Sequence, residues 1–132
     1  VAVAKGPSNK PVLTMSFTST NDLSAKQYYG VKLSADRTVI LMAATGDLPI
    51  GVLMNKPKAA EDAEVMVMGL VKAIAGETLA VGDTVRFHSD GKAMIHVKGT
   101  DTDAHIAGQV TLGGAADEII EMVLSLGLAE GT

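Results

Sequence analysis

Between Pro49 and Val85 the chain is an almost unbroken series of short apolar runs separated by turn formers. Ile50-Gly51-Val52-Leu53 stops at Asn55-Lys56-Pro57, the alternating Glu64-Val65-Met66-Val67-Met68-Gly69 follows, and Gly82-Asp83 turns the chain into Thr84-Val85-Arg86-Phe87. Apolar runs of that length bounded by Gly, Pro, Asn and Asp are strand signals. With so little polar chemistry inside them, they are suited to packing more than to reaction.

The same grammar extends in both directions. Val12 to Thr20 alternates with period two, placing Leu13, Met15 and Phe17 on one face of a half-buried strand that ends at Asn21-Asp22. Tyr29 to Leu33 and Thr38 to Ala43 are paired apolar runs joined by Ser34-Ala35-Asp36-Arg37 as a hairpin loop. Phe87 to Val97 reads as a second hairpin around Ser89-Asp90-Gly91-Lys92, where Asp-Gly supplies the positive φ of a tight turn. Lys58 to Glu64 has the composition of a helical first turn, but the Val-Met alternation after it favours strand. His105 to Leu112 is a further strand, and Gly99 to Ala104 before it is a polar loop. Glu118 to Leu126 suits a strand, although Ile119, Ile120, Val123 and Leu124 would also line a helix.

Turn signals spaced at roughly 8 to 15 residues point to an all-β, small single-domain β-barrel or β-sandwich with at most one or two short helices. The expected organisation is a β-domain over residues 12–132 behind a flexible N-terminal arm over residues 1–11. The arm has two prolines and no apolar periodicity. Its Lys5 and Lys10 meet no acid before Asp22, which leaves it at +2 and the rest of the chain at −6, nine basic groups against fifteen acidic. Such a segment gains little by packing on its own domain.

Bulk composition narrows the function further. At 132 residues the chain is long enough to bury a core without a disulfide or structural metal, and it has no cysteine to form a thiolate site or nucleophile. Aromatic residues are 3% of the chain and the net charge is −4, which disfavours base stacking and phosphate-backbone binding and makes nucleic acid an unexpected partner. No apolar run approaches the roughly 20 residues that a membrane-crossing helix needs, so a soluble protein with no membrane partner is expected.

Candidate chemistry is sparse. His88, His96 and His105 have no helical ligand spacing, although His88 and His96 flank the second hairpin and would approach each other if they met across it. Asp101-Thr102-Asp103 with His105 offers oxygen ligands in a loop but lacks the length, central Gly and closing Glu of a calcium loop. No nucleophile elbow, dinucleotide fingerprint or phosphate loop occurs. Glu61-Asp62 and Asp117-Glu118 are sequence neighbours whose side chains diverge. Gly76 to Asp83 has the turn pattern of a biotinyl or lipoyl carrier, but Asp90-Gly91-Lys92-Ala93-Met94 matches neither modified-lysine setting. The expectation is no enzyme, no catalytic residue, no metal and no cofactor. A small metal- or ligand-binding β-barrel built on the histidines, possessing an enzymatic activity, is the alternative.

Taken together, Tyr29 to Leu33, Pro49 to Pro57, Val65 to Gly69 with Val71-Lys72-Ala73, and Leu79 to Val85 resemble the head decoration, or capsid cement, proteins of tailed bacteriophages. The likeness spans about residues 28 to 126 and departs near Ala116 to Glu121, where the family more often shows Gly-Asp. The resemblance implies a non-enzymatic virion protein, made in the host cytoplasm, that binds the outer surface of an assembled capsid. It further implies a homo-oligomer, commonly a homotrimer, bridging neighbouring major capsid protein subunits and stabilising the shell. On such a surface the arm would supply contacts through Val1, Val3, Lys5 and Lys10.

Overall fold

The computed structural model describes residues 6–101 and 104–125, and these form nine strands with no helix among the described residues. The strands are β1 (Lys10–Ser19), β2 (Gly30–Ala35), β3 (Thr38–Leu41), β4 (Pro49–Leu53), β5 (Asp62–Ile74), β6 (Thr84–Phe87), β7 (Ala93–Ile95), β8 (Ile106–Leu112) and β9 (Ile119–Ser125). The all-β expectation holds, and the uncertain last segment is a strand; Leu126 lies outside the described residues. The helical turn considered at Lys58 to Glu64 is instead a tight turn that runs straight into β5.

One sheet contains all nine strands, in the order β1-β3-β2-β4-β5-β9-β8-β6-β7, and β1 also pairs with β5. That extra pairing closes β1, β3, β2, β4 and β5 into a ring. On the other side of β5 the sheet continues through β9, β8, β6 and β7, and a bridge between Ala75 and Ala93 brings β7 back to the end of β5. The chain therefore wraps around two cores that share β5.

Residues on β4 and β5 show how the cores are divided. In the antiparallel pair Val52↔Met66 both side chains enter the larger core, beside Phe87, Met122 and Leu124. In the next pair, Leu53↔Val65, both enter the smaller core, beside Phe17, Val31 and Val39. Successive side chains of a strand point to opposite faces, so the β4–β5 pair is a wall buried on both sides. A strand buried on both faces cannot alternate apolar with polar residues, which is why Pro49 to Leu53 and Val65 to Val67 read as continuous apolar runs.

Gly69 marks the place where β1 passes closest to β5. Its φ is +129°, and a Cβ there would meet the Lys10 carbonyl oxygen and the Val12 nitrogen at 2.7 Å. The pairing shifts register on either side of Leu13 at this point, a β-bulge that bends β1 over β5.

Candidate interaction surface

β1 differs from every other long strand in its burial. Seven consecutive residues from Lys10 to Ser16 are exposed, whereas Phe17 and Ser19 at its far end are buried. Along most of its length it is hydrogen-bonded only to β5, and it meets β3 through Thr18↔Thr38 and Ser19↔Val39 alone. Its exposed part includes Val12 (72% exposed), Leu13 (48%) and Met15 (43%).

The strand register extends this strip into a face. Residues directly opposite in an antiparallel pair share a side of the sheet. One cross-strand row runs Lys10, Leu70, Val123, Gln109, Thr84 through β1, β5, β9, β8 and β6. The row beside it runs Leu13, Met68, Ser125. Met68 is 49% exposed, Val123 43% and Ile119 42%, so among the described residues six of the ten exposed large hydrophobic side chains fall on three neighbouring strands. At its far side the face dips into a shallow groove of about 470 Å³ between Thr84, Ile106, Gln109, Val123 and Ser125. Grouped exposed apolar side chains are where an interaction surface is sought, and methionine adapts such a surface to a partner.

One edge of the face is pinned by a half-buried carboxylate. Both the amide and the hydroxyl of Ser8 donate to Glu121 Oε2 at 2.9 Å, and the Thr111 hydroxyl donates to Oε1 at 2.7 Å. The Lys72 amide donates to Asn9 Oδ1 at 2.8 Å. Burial acts to raise the Glu121 carboxyl, but the Thr111 and Ser8 hydrogen bonds and the Lys10 charge outweigh it and hold the group below its ordinary range. Of the residues expected to contact a partner, Lys10 is the first residue of β1, at the end of the cross-strand row, while Val1, Val3 and Lys5 lie outside the described residues. Leu13, Met68, Leu70 and Val123 were missed because their neighbours across the sheet are up to 60 residues away along the chain, as Lys10 is from Leu70.

The histidines are dispersed. In the β6–β7 hairpin Val85 pairs with Ile95 and Phe87 with Ala93, so His88 lies beside the tip, where its amide donates to the Lys92 carbonyl. His96 lies at the open end, its amide on the Thr84 carbonyl. The expected approach of the two across the hairpin does not occur: about four residues of strand, roughly 13 Å, separate them. Asp101 caps its own loop by accepting from the Val97 amide at 2.7 Å and faces Arg86 Nε at 3.5 Å. The Val97 amide, with the Arg86 and His96 charges, keeps its carboxyl below the usual range against the opposing effect of burial. Asp103 lies outside the described residues, and among those described no three His, Asp or Glu side chains gather as a metal site.

The geometry thus describes an all-β module, with two packed cores and an outward face on which several exposed apolar side chains are grouped. Residues 7–124 match the family model of the phage cement proteins, and the chain belongs to that family. Among solved structures, it is similar to the head fiber gp8.5 N base of bacteriophage phi29, with a TM-score of 0.65 and 15% sequence identity over 86% of this chain and 93% of that one. That likeness is one of fold. No curated protein matches the chain by sequence.

Proposed function

We propose that this chain sits on the outer surface of an assembled phage capsid, bridges neighbouring major capsid protein subunits and so stabilises the shell. Membership of the cement family carries the capsid-associated structural role. The bridging role is argued from the apolar face that runs from Leu13 across Met68 and Leu70 to Val123. A rigid module repeated at equivalent positions adds interface between subunits without any chemical step, and multiple attachment points convert weak contacts into firm ones. A homotrimer fits this role, because each copy would then hold its neighbours at a fixed spacing, and Val1, Val3, Lys5 and Lys10 are read as further contacts to the shell. No cofactor and no catalytic residue enter this reading.

The test uses undecorated capsids of the parent phage, with binding followed by co-sedimentation and capsid stability by heating. Leu13→Asp and Met68→Asp place charge where desolvation would be required, and each is expected to weaken attachment at least tenfold, or about 1.4 kcal/mol. Each should also remove the gain in capsid heat resistance while leaving the circular dichroism spectrum unchanged. Undiminished binding by both folded variants would overturn the assignment of this face.

A further inference from the structure

The two tyrosines of the chain, Tyr28 and Tyr29, stand together at the seam between the cores, each with a lysine ammonium over its ring: Lys72 at 5.6 Å from Tyr28 and Lys26 at 4.8 Å from Tyr29. Beside them is an open pocket of about 530 Å³ lined by Gln27, Tyr29, Lys56, Ile74, Lys92 and Asp117. Five separate segments build it, and backbone hydrogen bonds hold them in place: Gly30 N to Gly91 O at 2.8 Å, Tyr28 N to Leu53 O at 2.7 Å, Ile74 N to Tyr28 O at 3.1 Å and Asp117 N to Ala75 O at 2.7 Å. Gln27 Nε2 donates to the Met54 carbonyl at 2.8 Å, which fixes the loop carrying it.

Two of the four non-glycine residues with positive φ flank this pocket, Tyr28 at 72° and Asp117 at 68°. For a tyrosine that conformation costs of order 1 kcal/mol or more and persists only where the surroundings impose it. The lining sets two lysines, Lys56 and Lys92, against one carboxylate, Asp117, with Asp90 also acting on Lys92. Lys56 is exposed and forms no ion pair among the described residues. Lys92 donates to Asp117 Oδ1 at 2.7 Å, and that hydrogen bond holds its ammonium above the usual range.

We propose that this seam pocket binds a carboxylate side chain of an acidic peptide segment, with Lys56 and Lys92 as the cationic contacts and Tyr29 as the wall against which the peptide lies. Asp117 already shows a carboxylate seated on Lys92. Its side chain is 73% exposed, so an incoming carboxylate would compete with a partner that has little packing to keep it there. At about 530 Å³ the pocket has room for one or two side chains, which favours a peptide side chain over a polyanion. The inference stands on the pocket alone and is independent of which surface faces the capsid.

Because the chain has no tryptophan, its near-ultraviolet emission comes from Tyr28 and Tyr29 and reports on this site directly. The full chain is titrated with an acetylated, amidated Asp-Glu-Asp-Glu peptide, with Asn-Gln-Asn-Gln and with inorganic phosphate, following tyrosine emission and the amide resonances of Tyr29 and Lys92. A saturable response to the acidic peptide alone is expected, weakened about fivefold in Lys56→Gln and unchanged in the distant Lys98→Gln. Asp117→Asn, in which asparagine tolerates the same φ, releases Lys92 and is expected to tighten binding, a sign that misfolding cannot mimic. The proposal is overturned by no saturable change up to about 10 mM peptide, by an equal response to the neutral peptide or phosphate, by equal weakening in Lys98→Gln, or by weaker binding in Asp117→Asn.

Discussion

The two cores are built from the same kinds of strand but are filled differently. The larger one seats Phe87 among small residues: Ala73, Ala75, Ala93 and Ala107 are all fully buried around its walls, together with Met66, Ile120, Met122 and Leu124. Close approach of strands is the reason for the alanines; at Gly30 even a Cβ would lie 2.6 Å from the Phe87 ring. The smaller core is aliphatic, with Val31, Val39, Leu53 and Val65, and its one aromatic, Phe17, is 9% exposed at the end of β1. One core is thus organised around a single large side chain with no room to relax. The other is bounded by a strand whose remaining length faces outward. In the proposed function, stability and recognition are divided by face: the inward side chains of β4 to β9 hold the fold, and the outward side chains of β1, β5 and β9 form the proposed binding face.

The contrast is broken or upheld first by truncating the two aromatics. Phe87→Ala leaves a cavity ringed by strands that are tied on both sides, so it is expected to cost about 4 kcal/mol. Phe17→Ala lies at an opening where water and neighbouring side chains can fill the space, and about 2 kcal/mol is expected. Urea unfolding of both variants gives the comparison. Equal losses would mean that the smaller core is as rigid as the larger.

A backbone test comes next. Gly69→Ala would put a Cβ against the Lys10 carbonyl and the Val12 nitrogen in a φ region that alanine disfavours, so β1 must shift on β5. The expected loss is about 2 kcal/mol, accompanied by faster amide exchange in β1 than in β9. If exchange rises equally in β6 to β9, the two regions unfold as one unit and the segregation fails.

Much of this architecture was legible in the chain because strand and turn signals are local. The Asp90-Gly91 turn, the hairpin across Asp36-Arg37 and the extended final segment all follow from residues within a few positions of each other. What was not legible was pairing between distant strands. Nothing near Leu13 announces that it will lie beside Met68, and a period-two reading places Leu13, Met15 and Phe17 on one face without seeing that the bulge at Leu13 changes the face partway along. The wall strands illustrate the same limit, since Val52 and Leu53 are equally apolar and only the closed ring reveals that they serve different cores. Likewise Tyr29, Lys56, Lys92 and Asp117 are spread over nearly ninety positions and meet only because the hairpin tip packs on the start of β2.

Acidification probes the boundary between the packed sheet and the strip ahead of β1. The Glu121 carboxyl lies below its ordinary value of 4.5, so the stability it contributes is complete above that value and is lost as pH falls through the lower value it has in the fold. Thr111, Ser8, Lys10 and the cross-strand Lys72 are the groups facing it. Glu121→Gln is expected to cost about 1 kcal/mol at neutral pH and to flatten the acid limb of the stability profile. Amide exchange at Ser8 should rise on acidification in the parent chain and be high at all pH values in the variant. An unaltered acid limb would show that the Ser8 contact contributes nothing to holding this segment.

The smallest expected effect is the sharpest test of the segregation. Val12 is 72% exposed on a strand that is free along one side, so its side chain contributes almost no buried area to the fold. Val12→Ser removes apolar surface from the binding face and trades a strongly β-favouring residue for a weaker one. The change in unfolding free energy should fall within about 0.5 kcal/mol, with an unchanged dependence on urea. The same substitution should still reduce attachment to undecorated capsids, because there the apolar strip is desolvated. A destabilisation well above that bound would mean that β1 supports the fold through its exposed half as well. Binding and stability would then no longer be carried by separate residues.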